Sequence, residues 1–169
     1  MASRHNLHAI DVAVAVALVA EPDAAYGRLA ERLGLGVSTV HGAVGRLAFA
    51  GLLRPGGRVV NRLALREFLA HGLRYAFPAR PGRTLRGVPT AHAGPSLRGR
   101  LMASEPYVWP TADGDAVGPA VTPLYPAAVE LPRRSPAVYD LLSLADALRV
   151  GRARERGAAL EALDAYLAA

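Results

Sequence analysis

The chain of 169 residues contains no cysteine and no lysine, and all 20 of its basic residues are arginine. Without cysteine, disulfides and thiolate metal ligation are excluded and the redox compartment is left open. The absence of lysine beside so much Ala, Gly and Pro has the look of GC-rich coding, so arginine alone is a blunt signal here. The five histidines (5, 8, 41, 71 and 92) never stand at His-x3-His, the spacing that turns two imidazoles to one metal. Only His5 and His8 stand at i, i+3, in a basic N-terminus with Arg4. No phosphate-loop sequence occurs. Gly34-x-Gly36 lacks the third glycine of a dinucleotide motif. No apolar run is long enough to cross a bilayer. Leu7–Ala20 comes nearest, but it carries Asp11 and ends at Glu21-Pro22-Asp23 rather than at a cleavage pattern. It reads as a buried first helix, with no membrane partner, and a bacterial cytoplasmic location is expected.

What is present is positive charge, unevenly spread. The formal net charge is +6 with a pI near 10.5, which favours a polyanionic partner. Residues 1–75 carry nine Arg against five acids, residues 76–135 seven against four, and residues 136–169 four against five. The positive field therefore accompanies the first two segments, and the last suits protein contact better than phosphate.

The stretch Tyr26–Leu53 organises the first segment. Leu29, Ala30 and Leu33 form one apolar face, with Arg28, Glu31 and Arg32 outside it. Gly34 follows where a left-handed C-cap belongs. Val37, Val40, Val44 and Leu47 then trace a second helical stripe. The other face of that helix shows Ser38, Thr39, His41, Gly42, Gly45 and Arg46. A helix, a glycine-containing turn and a second helix led by small polar residues is the layout of a helix-turn-helix. Gly42 and Gly45 each weaken the second helix by roughly 1 kcal/mol against Ala and thin its outer face. Beyond Leu53, Leu52-Leu53 and Val59-Val60 can pair around Pro55-Gly56-Gly57 as a hairpin, or wing, with Arg54 and Arg58 beside its tip. Asn61 is set to cap a helix to about Gly72, with Leu63, Leu65, Phe68 and Leu69 on its apolar side.

Leu29-Ala-Glu-Arg-Leu-Gly-Leu, Ser38-Thr-Val-His and Arg46-Leu-Ala-Phe-Ala-Gly-Leu-Leu together resemble the winged helix-turn-helix of MarR-type transcriptional regulators, and IclR- and Lrp-type regulators are similar. The resemblance covers roughly Leu7 to Tyr75. It departs at Gly36, where a Ser or Thr N-cap is usual, and at Gly42, where a longer polar residue is common. It implies DNA reading through the helix at about 37–50 and a wing at about 53–60. Ser38, Thr39, His41 and Gly42 would then face the bases, Arg46 a base or phosphate, and Arg28, Arg54 and Arg58 the phosphates.

From Ala76 the character changes, for eleven of the 13 prolines lie in 76–136 and exclude long helices there. Interleaved aromatic and β-branched residues predict an extended wrap with short strands, including a hairpin of Tyr107-Val-Trp-Pro and Ala116-Val-Gly-Pro around Asp113-Gly114. Arg80, Arg83, Arg86, Arg98 and Arg100 occur with no acid between Glu67 and Glu105. They suit a phosphate backbone or a small anionic effector. His92 and Ser96 share the stretch, but no third triad member or oxyanion site accompanies them. Ser135-Pro136 opens the last segment as an N-cap with Pro at N1. Val138, Leu141, Leu142, Ala145 and Leu148, then after Gly151 Ala159, Leu160, Leu163, Tyr166 and Leu167, form stripes that suit a two-fold dimer interface. Such a dimer would set two reading helices about 34 Å apart.

The sequence thus predicts a mainly α protein with a small β component. A winged helix-turn-helix occupies 1–75, a Pro/Gly-rich basic extended segment 76–135 and a C-terminal helical, dimerising segment 136–169. The function expected is a non-enzymatic, cofactor-free, sequence-specific regulator of transcription. It would be a homodimeric repressor on a palindromic operator, with double-stranded DNA as partner. The alternative is a winged-helix protein-interaction module with weak or architectural DNA binding, effector-responsive through its Arg-rich middle.

Overall fold

The computed structural model describes residues 5–102 and 105–169, so Arg4 lies outside the described residues. The chain is mainly helical, with one small three-stranded antiparallel sheet. Helix α1 (Ala9–Ala20) is its axis. Every residue from Asp11 to Val19 is buried, which explains an apolar run with no polar face. It packs against α2 (Tyr26–Leu33), α3 (Val37–Phe49), α7 (Pro136–Val150) and α8 (Ala153–Ala168). Among the described residues no helix is long and apolar enough to cross a membrane.

Helix α2 buries Leu29, Ala30 and Leu33 and ends at Gly34, whose φ of 66° is the left-handed C-cap. Gly36 is the extended N-cap of α3, which buries Val40, Ala43, Val44 and Leu47. Val37, expected on that stripe, is 51% exposed because it occupies the first helical position, off the packed face. The expected hairpin after Leu53 is reduced to a single bridge, Leu53↔Val60, supported by Arg54 N–H to the Val59 carbonyl at 2.8 Å. Pro55, Gly56 and Gly57 take up half of the intervening chain, leaving few residues to build a ladder.

Asn61 caps the next helix, its side chain accepting the Ala64 amide at 3.3 Å. Helix α4 (Arg62–Glu67) widens into a π turn over Phe68–Gly72 and resumes as α5 (Leu73–Ala76). Leu65, Leu69 and Leu73 are buried, whereas Leu63, expected on the apolar side, is 77% exposed. The four-residue spacing of the buried leucines sets the inner face, and Leu63 does not share it.

The Pro-rich middle folds as a sheet of order β2-β1-β3. Central β1 (Thr84–Thr90) pairs antiparallel with β2 (Tyr107–Pro110) through its C-terminal half and with β3 (Ala116–Pro119) through its N-terminal half. The expected hairpin is therefore corrected. Both of its strands form, but they flank β1 instead of pairing with each other. Val108 and Ala120 bridge across, curling the sheet. Gly87, at the centre of β1, is obligatory because a Cβ there would lie 2.0 Å from the Trp109 carbonyl oxygen.

Helix α6 (Leu131–Arg134) leads into α7, with Ser135 at the N-cap, and Gly151 separates α7 from α8, giving two helices. All of α7 from Val138 to Arg149 is buried within its own chain, against α1, α5, α6, α8 and the sheet. The α7 part of the stripe expected to await a second subunit is already covered, whereas Leu160, Tyr166 and Leu167 of its α8 part are half-buried. One hydrophobic core joins all three expected segments, from Val12 to Leu163.

Candidate nucleic-acid interface

The outward face of α3 presents Ser38, Thr39 and His41, all exposed, with Gly42 half-buried. Two rings steady this face. The His41 ring centroid lies 4.9 Å from that of Tyr26, at the start of α2, and the Arg58 guanidinium carbon lies 4.8 Å above the Tyr26 ring. Arg58 also donates to the Ala24 carbonyl, which ties the bridged loop to the entrance of α2. Tyr26 thus connects the polar face of α3 to the loop arginine, a role its position at a helix start did not announce. Arg54 is exposed on the same loop.

Arg28 reaches Glu21 at 2.5 Å and Arg32 reaches the same carboxylate at 3.1 Å. The Arg28 hydrogen bond holds the Glu21 carboxyl below its usual range, against the upward push of burial. Arg28 remains more than half exposed, so an exposed partner is no obstacle to a phosphate contact.

Arg46 is a correction. Its Nε and Nη2 donate to the two carboxylate oxygens of Asp11 at 2.8 and 2.7 Å, and Asp11 is fully buried. A bidentate bond to a buried carboxylate commits the guanidinium to the interior, so it is not available to a base. Asp11 also accepts the His8 amide at 2.8 Å, capping α1. Gly42 makes room for this arrangement, since a Cβ there would meet Arg46 Nη1 at 3.3 Å. The pair pins the last turn of α3 to the start of α1.

The other arginines gather elsewhere. Arg80, Arg83, Arg86, Arg98 and Arg100 are all exposed. Arg86 donates to the Gly114 carbonyl at 3.1 Å, and Arg100 lies 4.0 Å from Glu161 on α8. None of their hydrogen bonds or ion pairs among the described residues goes to α2 or α3. His92 and Ser96 do not bond to each other. The His92 Nε2 faces the Glu105 carbonyl at 2.8 Å, while the Ser96 hydroxyl donates to Asp140 at 2.5 Å.

A cleft of about 500 Å³ opens between the sheet and the segment leading into α7. Of the five middle arginines only Arg98 lines it, together with Arg133, Asp113 and Asp115. Its mixed charge is not the anion cradle that the arginine run suggests. No family model, characterised protein or solved structure matches this chain.

Proposed function

We propose that the protein is a sequence-specific DNA-binding regulator of transcription that acts by occluding a promoter. In this reading α2, the Gly34–Gly36 turn and α3 are a helix-turn-helix, and the loop closed by Leu53 and Val60 is a minimal wing. One observation carries it. The outer face of α3 offers Ser38, Thr39 and His41 to solvent while its inner face is buried through Val40, Ala43 and Leu47 and the helix is tied to α1 by the Asp11–Arg46 pair. Short donors and acceptors on a rigidly held helix suit base edges in a major groove. Arg28, Arg54 and Arg58 flank that face and suit phosphates. Arg46 acts one step back, as a positioning residue.

Selection from a randomised duplex pool at about 150 mM salt, where nonspecific phosphate contacts are weakened, tests this reading. Enrichment of a defined sequence is expected. A palindrome would show that two copies bind together, a single half-site that one suffices, and retention without enrichment an architectural role. Failure to retain any duplex would refute the reading. It would favour a protein-interaction module, for which the exposed Val37 and Phe49 at the two ends of α3 are the specific support.

A further inference from the structure

The cleft beside the sheet holds unspent charge of both signs. Arg98 and Arg133 on one side of the charge balance, and Asp113 and Asp115 on the other, line it without forming an ion pair among the described residues. Arg98 and Asp115 also border an adjoining recess, so each lies at the rim of two openings. Between them the wall is apolar, from Val88, Pro89 and Val129. Tyr139 closes the floor, with its hydroxyl donating to the Pro89 carbonyl at 2.6 Å. Burial pushes that hydroxyl up to about 12, with Arg98 pulling it down and Asp115 pushing it up, so both charges act at the floor.

The cleft is also joined to the turn before α3. Glu130 lines it and holds Arg134 at 2.7 Å. Arg134 Nη1 donates to the Glu31 carbonyl at 3.0 Å, and Arg32 returns a bond to the Arg134 carbonyl at 3.0 Å. Tyr125, on the same segment, donates to the Leu33 carbonyl at 3.0 Å. The Tyr125 bond satisfies the Leu33 carbonyl, and Arg134 adds a second donor to the Glu31 carbonyl, which also accepts the Gly34 amide at 3.3 Å. The wall of the cleft and the C-terminal cap of α2 are therefore one piece of chain.

We propose that the cleft binds a small zwitterion with an apolar body, a free amino acid or a dipeptide, and that occupancy is transmitted through Glu130 and Arg134 to the α2–α3 turn. Arg98 and Arg133 take the carboxylate, Asp113 and Asp115 the ammonium, and the apolar wall the side chain. Its consequence for DNA rests on the function proposed above; the binding itself does not.

Trp109, the only tryptophan, packs its ring 5.7 Å from that of Tyr139, so its emission reports on the floor of the cleft. The full chain is titrated with leucine, valine, methionine, proline and dileucine, and with leucinamide and N-acetylleucine as singly charged controls. A saturable change is expected with at least one zwitterion, and free amino acids against dileucine separate the two sources. Arg98→Ala and Asp115→Ala, both at exposed positions, are each expected to weaken binding about tenfold or more, the loss of one charge-assisted contact. No response from any zwitterion, or equal binding of the two controls, would overturn the site. Coupling is read without DNA, from amide exchange at Gly34 and Leu35, whose N–H groups bond to the α2 carbonyls of Glu31 and Ala30. Ligand is expected to alter it in the native chain and not in Glu130→Gln, and unchanged exchange would overturn the coupling. Ligand binding with altered exchange but no duplex binding would refute the DNA reading alone.

Discussion

Removing either member of the Asp11–Arg46 pair should destabilise the protein, and by different amounts. Arg46→Ala leaves the Asp11 carboxylate fully buried with only the His8 amide as a partner. Removing one partner of a buried ion pair costs about 3–5 kcal/mol because the other charge is stranded. Full burial of Asp11 places this variant near the upper end. Asp11→Ala strands the arginine instead, and the Arg46 side chain keeps 17% exposure, enough for its guanidinium to turn toward water. Its loss should be nearer the 1.5–3 kcal/mol of a charged hydrogen bond, with the α1 cap lost besides.

Urea unfolding followed by circular dichroism measures both. At an m-value of about 2 kcal/mol/M, a loss of about 4 kcal/mol lowers the midpoint by about 2 M. The double variant should lose less than the sum of the single ones, with a coupling of about 1–3 kcal/mol. An Arg46→Ala protein within about 1 kcal/mol of the native chain would refute this reasoning. If that variant also lost only its preference for one base position, Arg46 would return to the DNA-contacting set.

Three further outcomes follow from the geometry. Gly45→Ala, with nothing within 4 Å of the new Cβ, should stabilise the protein by about 1 kcal/mol in urea unfolding, while Gly42→Ala should gain less, because its Cβ meets the committed Arg46 at 3.3 Å. Arg54→Ala should weaken binding to all duplexes about equally and flatten the salt dependence by about one unit, so a loss confined to one sequence in binding titrations would contradict the phosphate role. Burial raises the Asp146 carboxyl above its ordinary value against the pull of Arg149 and the hydrogen bonds from Thr90 and Trp109. Its native form holds the proton more tightly than the unfolded chain does, so this group's contribution is full below about pH 3.9 and is lost as pH rises through the raised native value. Unfolding midpoints across pH should show that falling component in the native chain and not in Asp146→Asn.

Period and punctuation in the sequence located the elements that are packed on one side. The stripe Leu29, Ala30, Leu33, the left-handed Gly34 and the Asn61 cap are local signals, and each is found where its local chemistry puts it. Strand β1 escaped because its sheet demands what a sequence reader takes for a breaker. Gly87 is there to let the Trp109 carbonyl approach, and Pro89 follows two residues later within the same strand. Helix α7 misled in the opposite way. Its apolar stripe was legible, but the polar residues between the stripe's members, Asp140, Ser143, Asp146 and Arg149, are buried as well.

Ser143 bonds the Tyr139 carbonyl one turn back, but the other three have partners that sequence distance hides. Asp140 takes the Ser96 amide and hydroxyl and the Tyr166 hydroxyl, Asp146 takes Thr90 and Trp109, and Arg149 donates to the Thr122 carbonyl. A polar residue is affordable in a core once its bonds are made, so periodicity alone cannot separate a solvated face from a satisfied one. The same limit explains the candidate interface. Ser38, Thr39 and His41 were legible because a free polar face needs no partner, whereas Arg46 drew the same reading until Asp11, 35 residues away, claimed it. Charge and position nominate a contacting arginine, and only its partners decide whether the guanidinium is free to serve.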